Sequence, residues 1–180
     1  MKAVLSYLLA FGGLGMMLYA LTSVAGRFMY GVAKPMVVHL LRTNPHQAEA
    51  MCKADKTTFM SAVAAAIKTA AMMKVRDPNI LAQATKPAFD AQCTQIGMHW
   101  KSVLKRAKTA AALAVGAIVL GATAGTSVIL HVLLAIVTLA GCGWVFYYKL
   151  DVDRSLVLAR AEVVPEVERA IAEGRYQLPP

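Results

Sequence analysis

The sequence predicts an all-α membrane protein with three transmembrane helices and a helical cytoplasmic segment between the first and the second. Three observations carry that prediction. The forty residues from Thr109 to Tyr148 contain no Asp, Glu, Lys or Arg and are closed by Lys108 and Lys149. A second uncharged run extends from Ala3 to Gly26 and ends at Arg27. Hydrophobic residues make up 58% of the 180 and charged ones only 16%, a balance unusual for a soluble domain.

A helix needs about 20 apolar residues to cross a hydrocarbon core. The longer run is therefore read as a hairpin of two spans, with the small residues from Gly121 to Ser127 at its turn. Its first half, Thr109 to Gly121, is short. It completes a crossing only with Val103, Leu104 and the stems of Lys105 and Lys108, whose amines can snorkel. One over-long helix is the alternative. The Ala3 to Gly26 run suits a single span. It also has the parts of a secretory signal peptide, with Lys2 as a positive n-region and Ser23-Val24-Ala25 as a small-residue cleavage site, but its length favours an uncleaved helix. The expected division is residues 1–30 as the first span, 31–108 as a basic helical segment leading into the second, 109–148 as the hairpin and 149–180 as a helical tail.

The net charge of +9 is unevenly placed. Between Arg27 and Lys108 there are 13 Lys or Arg against 4 Asp or Glu, whereas from Lys149 onward there are 5 against 6. Positive charge beside spans marks the cytoplasmic side, and Arg27 and Lys34 follow the first span while Lys101, Lys105, Arg106 and Lys108 precede the second. The expected location is a bacterial-type inner membrane, with the N-terminus outside and the middle segment and C-terminus cytoplasmic. Lys2 alone points the other way. The lipid bilayer is the first expected partner, since anionic lipid accounts for these lysines without nucleic acid, which is not expected. Trp144, Tyr147 and Tyr148 read as an aromatic belt at the cytoplasmic interface.

Helix signals order the remainder. Asn44-Pro45 and Asp77-Pro78 each pair a capping side chain with a proline suited to the first helical position. Thr57 is expected to cap a helix that buries Phe59, Val63, Ala66, Ile67 and Ala70 while Lys56 and Lys68 stay in solvent. After Asp77, Ile80, Leu81, Ala84, Ala88, Ala91, Ile96, Trp100, Val103, Leu104 and Ala107 predict one long helix leading into the second span, interrupted or kinked near Gln83 to Pro87. Two helical pieces are expected in the tail, Asp153 to Val163 and Pro165 to Glu173, with Gly174 as a stop and Tyr176 to Pro180 extended.

Chemical motifs are scarce. Cys52, Cys93 and Cys142 form no CxxC pair, and no structural disulfide is expected. His39 and His46 are separated by a helix break and lack nearby carboxylates or thiolates, so no metal site and no cofactor are expected. No nucleophile elbow, phosphate loop or close acid pair points to an enzyme, and no catalytic residue is assigned. Small residues offer assembly surfaces instead: Gly12, Gly13 and Gly15 make a thin patch on the first span, and Gly121-x-x-x-Gly125 is either a helix-packing motif or part of the hairpin turn. A homo-oligomer is expected. Of the polar groups inside the spans, Thr123, Thr126, His131 and Thr138 are to be weighed for a functional path. The simpler reading of Thr138 is a bond to a carbonyl of its own helix, and that of His131 is a place at the outer interface rather than in a proton relay.

This order of elements resembles the MotA/TolQ/ExbB proton-channel family. Asn44 to Cys52 looks like the family's short helix after its first span, followed by an alanine-rich helix from Ser61 to Met73, and Thr138-Leu-Ala-Gly141 is similar to its Thr-x-x-Gly. The resemblance implies that Thr138 and Gly141 line a pore in a ring of subunits around a single-span partner carrying an acidic proton-binding residue. No span here contains such a residue. The expected function is the ring-forming component of a proton-driven motor or energy-transducing complex; the alternative is a non-conducting structural membrane subunit that scaffolds a larger complex.

Overall fold

The computed structural model describes residues 1–25, 29–73 and 75–176. Arg27, used above to orient the chain, and Gln177 to Pro180, expected to be extended, lie outside them. The described residues form seven helices and no strand: α1 Lys2–Thr22, α2 Tyr30–Thr43, α3 Pro45–Ala54, α4 Phe59–Met73, α5 Pro78–Thr123, α6 Val128–Glu162 and α7 Val164–Ala172. Two compact units result, residues 1–26 with 100–149 and residues 27–99 with 150–180. Both α5 and α6 contribute to each.

Two helices are long and apolar enough to cross a membrane, α1 and the helix beginning at Val128, rather than the three expected. The other uncharged stretch forms the end of α5. Counting from Thr109 to Thr123 gives about 22 Å of helix, short of a hydrocarbon core of about 30 Å, and the preceding turns carry Lys105, Arg106 and Lys108.

In the first unit three helices pack through small residues. The buried positions are Ser6, Ala10, Gly13, Met17 and Ala20 of α1; Trp100, Val103, Ala107, Ala110, Ala114 and Ala117 of α5; and His131, Ala135, Thr138, Cys142, Val145 and Tyr148 of α6. Each series advances by threes and fours, alternating except for the last step of α6, close to the heptad spacing that keeps one seam facing its partners in a left-handed supercoil. Alanine and glycine at those positions let backbones approach. The Cys142 thiol donates to the Ala107 carbonyl at 3.2 Å, and a Cβ added at Gly13 would lie 3.1 Å from the Ala110 oxygen. Tyr148, expected in an aromatic belt, is buried instead against Trp100, with ring centroids 5.9 Å apart. Its place in the heptad turns it inward, while Trp144 and Tyr147 point outward.

The second unit is built around α4, where Phe59, Val63, Ala66, Ile67 and Ala70 are all buried and Lys56 and Lys68 are exposed. Its neighbours supply Val37 and Leu41 from α2, Ala48 and Cys52 from α3, and Val164, Val167, Ala170 and Ile171 from α7. Such side chains gain roughly 1.5–3 kcal/mol each when the larger ones leave water. The Asn44 side chain accepts from the Gln47 amide at 3.2 Å, and Asp77 accepts from the Asn79 amide at 2.8 Å, so both Pro-led starts form as read. The start of α4 differs by one residue: Asp55 accepts from the Thr57 amide and Thr58 accepts from the Met60 amide, making Thr58 the cap. Pro87 does not interrupt α5. It lies on an exposed face, where water can satisfy the Gln83 carbonyl that its missing N–H leaves free. Nor does the tail begin with a separate helix, since Asp153 onward continues α6; the break falls at Val163, before Pro165, and Gly174 stops the chain in a left-handed conformation with φ 71°.

Candidate functional site: the polar seam and the charged clasp

Thr138 is fully buried, and its hydroxyl donates to the Leu134 carbonyl at 2.8 Å, one turn back in its own helix. Gly141, three residues on, faces Met17: a Cβ there would lie 2.8 Å from the Met17 Cγ. Thr138 thus lies on the buried side of α6, and Gly141 meets α1 of the same chain. Thr123 and Thr126 are likewise satisfied locally, by the Leu120 and Gly121 carbonyls at 3.0 Å.

His131 faces the interior of the bundle, one turn from the start of α6. It is 1% exposed, with Nδ1 2.9 Å from the Ser127 carbonyl and Nε2 3.1 Å from the Ser6 hydroxyl. A carbonyl only accepts, so Nδ1 donates to Ser127, while Nε2 shares a hydrogen bond with the Ser6 hydroxyl. The Ser6 hydroxyl also lies 2.8 Å from the Ala3 carbonyl. Tyr7 covers the imidazole at 4.7 Å between centroids. The result is a polar link between α1 and α6 inside an apolar bundle. Sequence reasoning missed Ser6, although its step to Ala10 and Gly13 already had the seam's spacing.

The glycines divide by environment. Gly13 lies against Ala110, Leu113 and Ala114 of α5, whereas a Cβ at Gly12 or Gly15 would meet nothing within 4 Å. Gly121 approaches His131, with a Cβ position 3.1 Å from the ring. Gly125 has φ 66° and open surroundings; it turns the chain while the Thr126 amide bonds back to Gly121 at 3.2 Å, the geometry of a glycine C-cap.

In the second unit, carboxylates near the end of the chain close onto basic and hydroxyl groups of the middle segment. Glu162 accepts from Tyr30 at 2.8 Å and pairs with Lys34 at 2.7 Å. Glu166 is gripped by both Arg42 Nε and Nη2, at 3.2 and 2.8 Å, and Glu168 accepts from Thr85 at 2.6 Å. Arg160 pairs with Asp90 at 2.7 Å. Hydrogen bonds from Lys34 and then Tyr30 hold the Glu162 carboxyl below its usual range, and Arg42 does the same for Glu166. Burial, reinforced by Glu162, pushes the Tyr30 phenol up. Burial opposes the Glu49 charge, but hydrogen bonds from Lys53 and Tyr176 prevail and its pKa falls. The uneven charge count was the sequence signal for this clasp.

Two clefts flank α3: an apolar one of about 490 Å³ lined by Met36, His39, Leu40, Gln47, Ala50 and Met51, and a polar one of about 270 Å³ between His46, Glu49, Lys53, Lys68 and Tyr176. All three cysteines are free. Burial, then the Glu49 charge, pushes the Cys52 thiol up to about 12, and burial with Asp90 pushes Cys93 up to about 11, so neither supplies a thiolate at neutral pH. Among the described residues no three His, Cys, Asp or Glu side chains gather as metal ligands. Comparison of the chain with protein-family models, curated proteins and solved structures gave no match.

Proposed function

We propose that this chain is a three-span membrane subunit that acts by holding helices together, a structural component of a larger assembly. The observation that carries the reading is an inverted distribution of side chains. Within the first unit the small and polar groups Ser6, Gly13, Ala110, His131 and Thr138 point inward, while Leu8, Phe11, Val119, Ile129, Ile136 and Trp144 are more than half exposed. Water would penalise that arrangement, and lipid favours it. The end of α5 supplies the third span in this reading, with Arg106 stacked over the Tyr19 ring at 4.7 Å as an interfacial anchor. The basic segment and tail then face the cytoplasm of a bacterial-type inner membrane, and the outward patch at Gly12 and Gly15 is available to a second copy.

A second reading, the ring-forming component of a proton-driven motor, is favoured by the order of elements and by Thr138 and Gly141 on one face. It requires a partner span that carries the acidic proton site. Thr138→Val separates the two. As a scaffold, the chain loses only the bond to Leu134 and should assemble and function as before. A pore role predicts normal assembly with loss of proton flux in proteoliposomes containing the co-purified partner. Particle symmetry in lipid adds the copy number: a closed ring around a single-span subunit supports the motor, and a complex without any membrane carboxylate defeats it.

A further inference from the structure

We infer that one face of α5 binds an acidic phospholipid, with the headgroup phosphate on Lys101, Lys105 and Lys108 and an acyl chain along Ala112, Val115 and Val119. The inference rests on the membrane reading above and adds a specific site to it. The six residues follow one another by four, three, four, three and four positions. At 3.6 residues per turn they fall within an arc of about 80°, so they form one stripe. All six are exposed, and Val115 and Val119 are 50% and 59% exposed.

The chemistry of the stripe changes once along its length. Its lysine part covers about 10 Å of helix and its apolar part, from Lys108 to Val119, about 16 Å. A charged end followed by a longer apolar run is the complement of an anionic lipid. The lysines are not already engaged, because none makes an ion pair among the described residues. This contrasts with Lys34, Arg42, Lys53 and Arg160, which are taken up by carboxylates. Nor does α5 carry an acidic side chain anywhere between Trp100 and Thr123 to repel a phosphate. Arg106, one residue off the stripe, is turned to the Tyr19 ring, which leaves the lysines as the outward cations.

The test uses the full chain in nanodiscs of mixed phosphatidylglycerol and phosphatidylcholine, extracted gently, with retained lipids counted by native mass spectrometry. Each lysine beside an anionic surface is worth roughly a fivefold change in partitioning. Wild-type protein should therefore retain phosphatidylglycerol over phosphatidylcholine by on the order of tenfold or more. K101Q/K105Q/K108Q should bring the ratio close to one, while K56Q/K68Q/K86Q, which removes equal charge from exposed lysines of the second unit, should leave it unchanged. Equal enrichment in both triple variants, or none in wild type, overturns the site. Alkaline carbonate extraction of the same samples keeps the two ideas apart: protein that stays in the bilayer without enriching phosphatidylglycerol defeats only the lipid site, whereas protein released by carbonate defeats the membrane reading and the site with it.

Discussion

Gly12 and Gly13 are adjacent in sequence and opposite in consequence. The first faces open space, while the second lets α1 approach the backbone of α5 so closely that even a Cβ would stand 3.1 Å from the Ala110 oxygen and 3.3 Å from the Leu113 Cβ. The contact is with backbone, which cannot swing aside as a long side chain can. Gly13→Leu should therefore separate the helices and destabilise the bundle by about 1–3 kcal/mol, as overpacking does elsewhere, whereas Gly12→Leu should be close to neutral. Reversible denaturation in mixed micelles, followed by tryptophan fluorescence, measures both. Equal effects would show that α1 does not use this register. From the sequence the three glycines at positions 12, 13 and 15 were equivalent, because residue identity alone cannot tell which face meets a neighbour.

At the scale of elements, the end of α6 and α7 is held to α2 by Glu162 and Glu166. Both carboxyls are held below their ordinary value of 4.5, by Lys34 and Tyr30 in one case and by Arg42 in the other. A lowered pKa in the folded state means that the stabilisation is complete above the unfolded value and is lost as pH falls through the folded one. The clasp should thus be indifferent to pH from neutrality to about 5 and should loosen under more acid conditions. In E162Q/E166Q, amide exchange across Val164–Ala172, corrected for its intrinsic pH dependence, should already be faster at pH 6 and should respond little to further acid. Unchanged protection would mean that the buried Val164, Val167 and Ile171 hold α7 without the ions. These helices were partly legible in advance. Local signals, Asn44-Pro45, Asp77-Pro78, Gly174 and the apolar face of α4, lie where the chain itself decides the conformation. The interruption expected near Pro87 and the separate helix expected from Asp153 did not form, because a proline on an exposed helical face is tolerated and because nothing local ends α6 before Val163.

For the whole molecule, a reader of the sequence could see that apolar residues dominate but not which side of each helix they occupy. The structure supplies that distinction: many of the bundle's large apolar side chains are outside, and much of its interior is alanine, glycine, serine, threonine and histidine, with Met17, Trp100, Val103, Cys142, Val145 and Tyr148 filling the rest. The placement of Ile136 turns this into an opposed pair of outcomes. It is 57% exposed on α6, away from the seam that contains Ala135 and Thr138. If the unit lived in water, Ile136→Arg would improve solubility and leave stability nearly unchanged, as surface changes usually do. In a bilayer the same substitution puts a guanidinium near mid-span, at about 2.5–3.5 kcal/mol on insertion scales. Expression with glycosylation or protease reporters on the hairpin turn reads the inserted fraction directly. A drop for I136R, set against no change for the exposed Lys56→Arg of the second unit, is expected. A more soluble and fully folded I136R protein would instead require that a partner's apolar surface, and not lipid, covers this face.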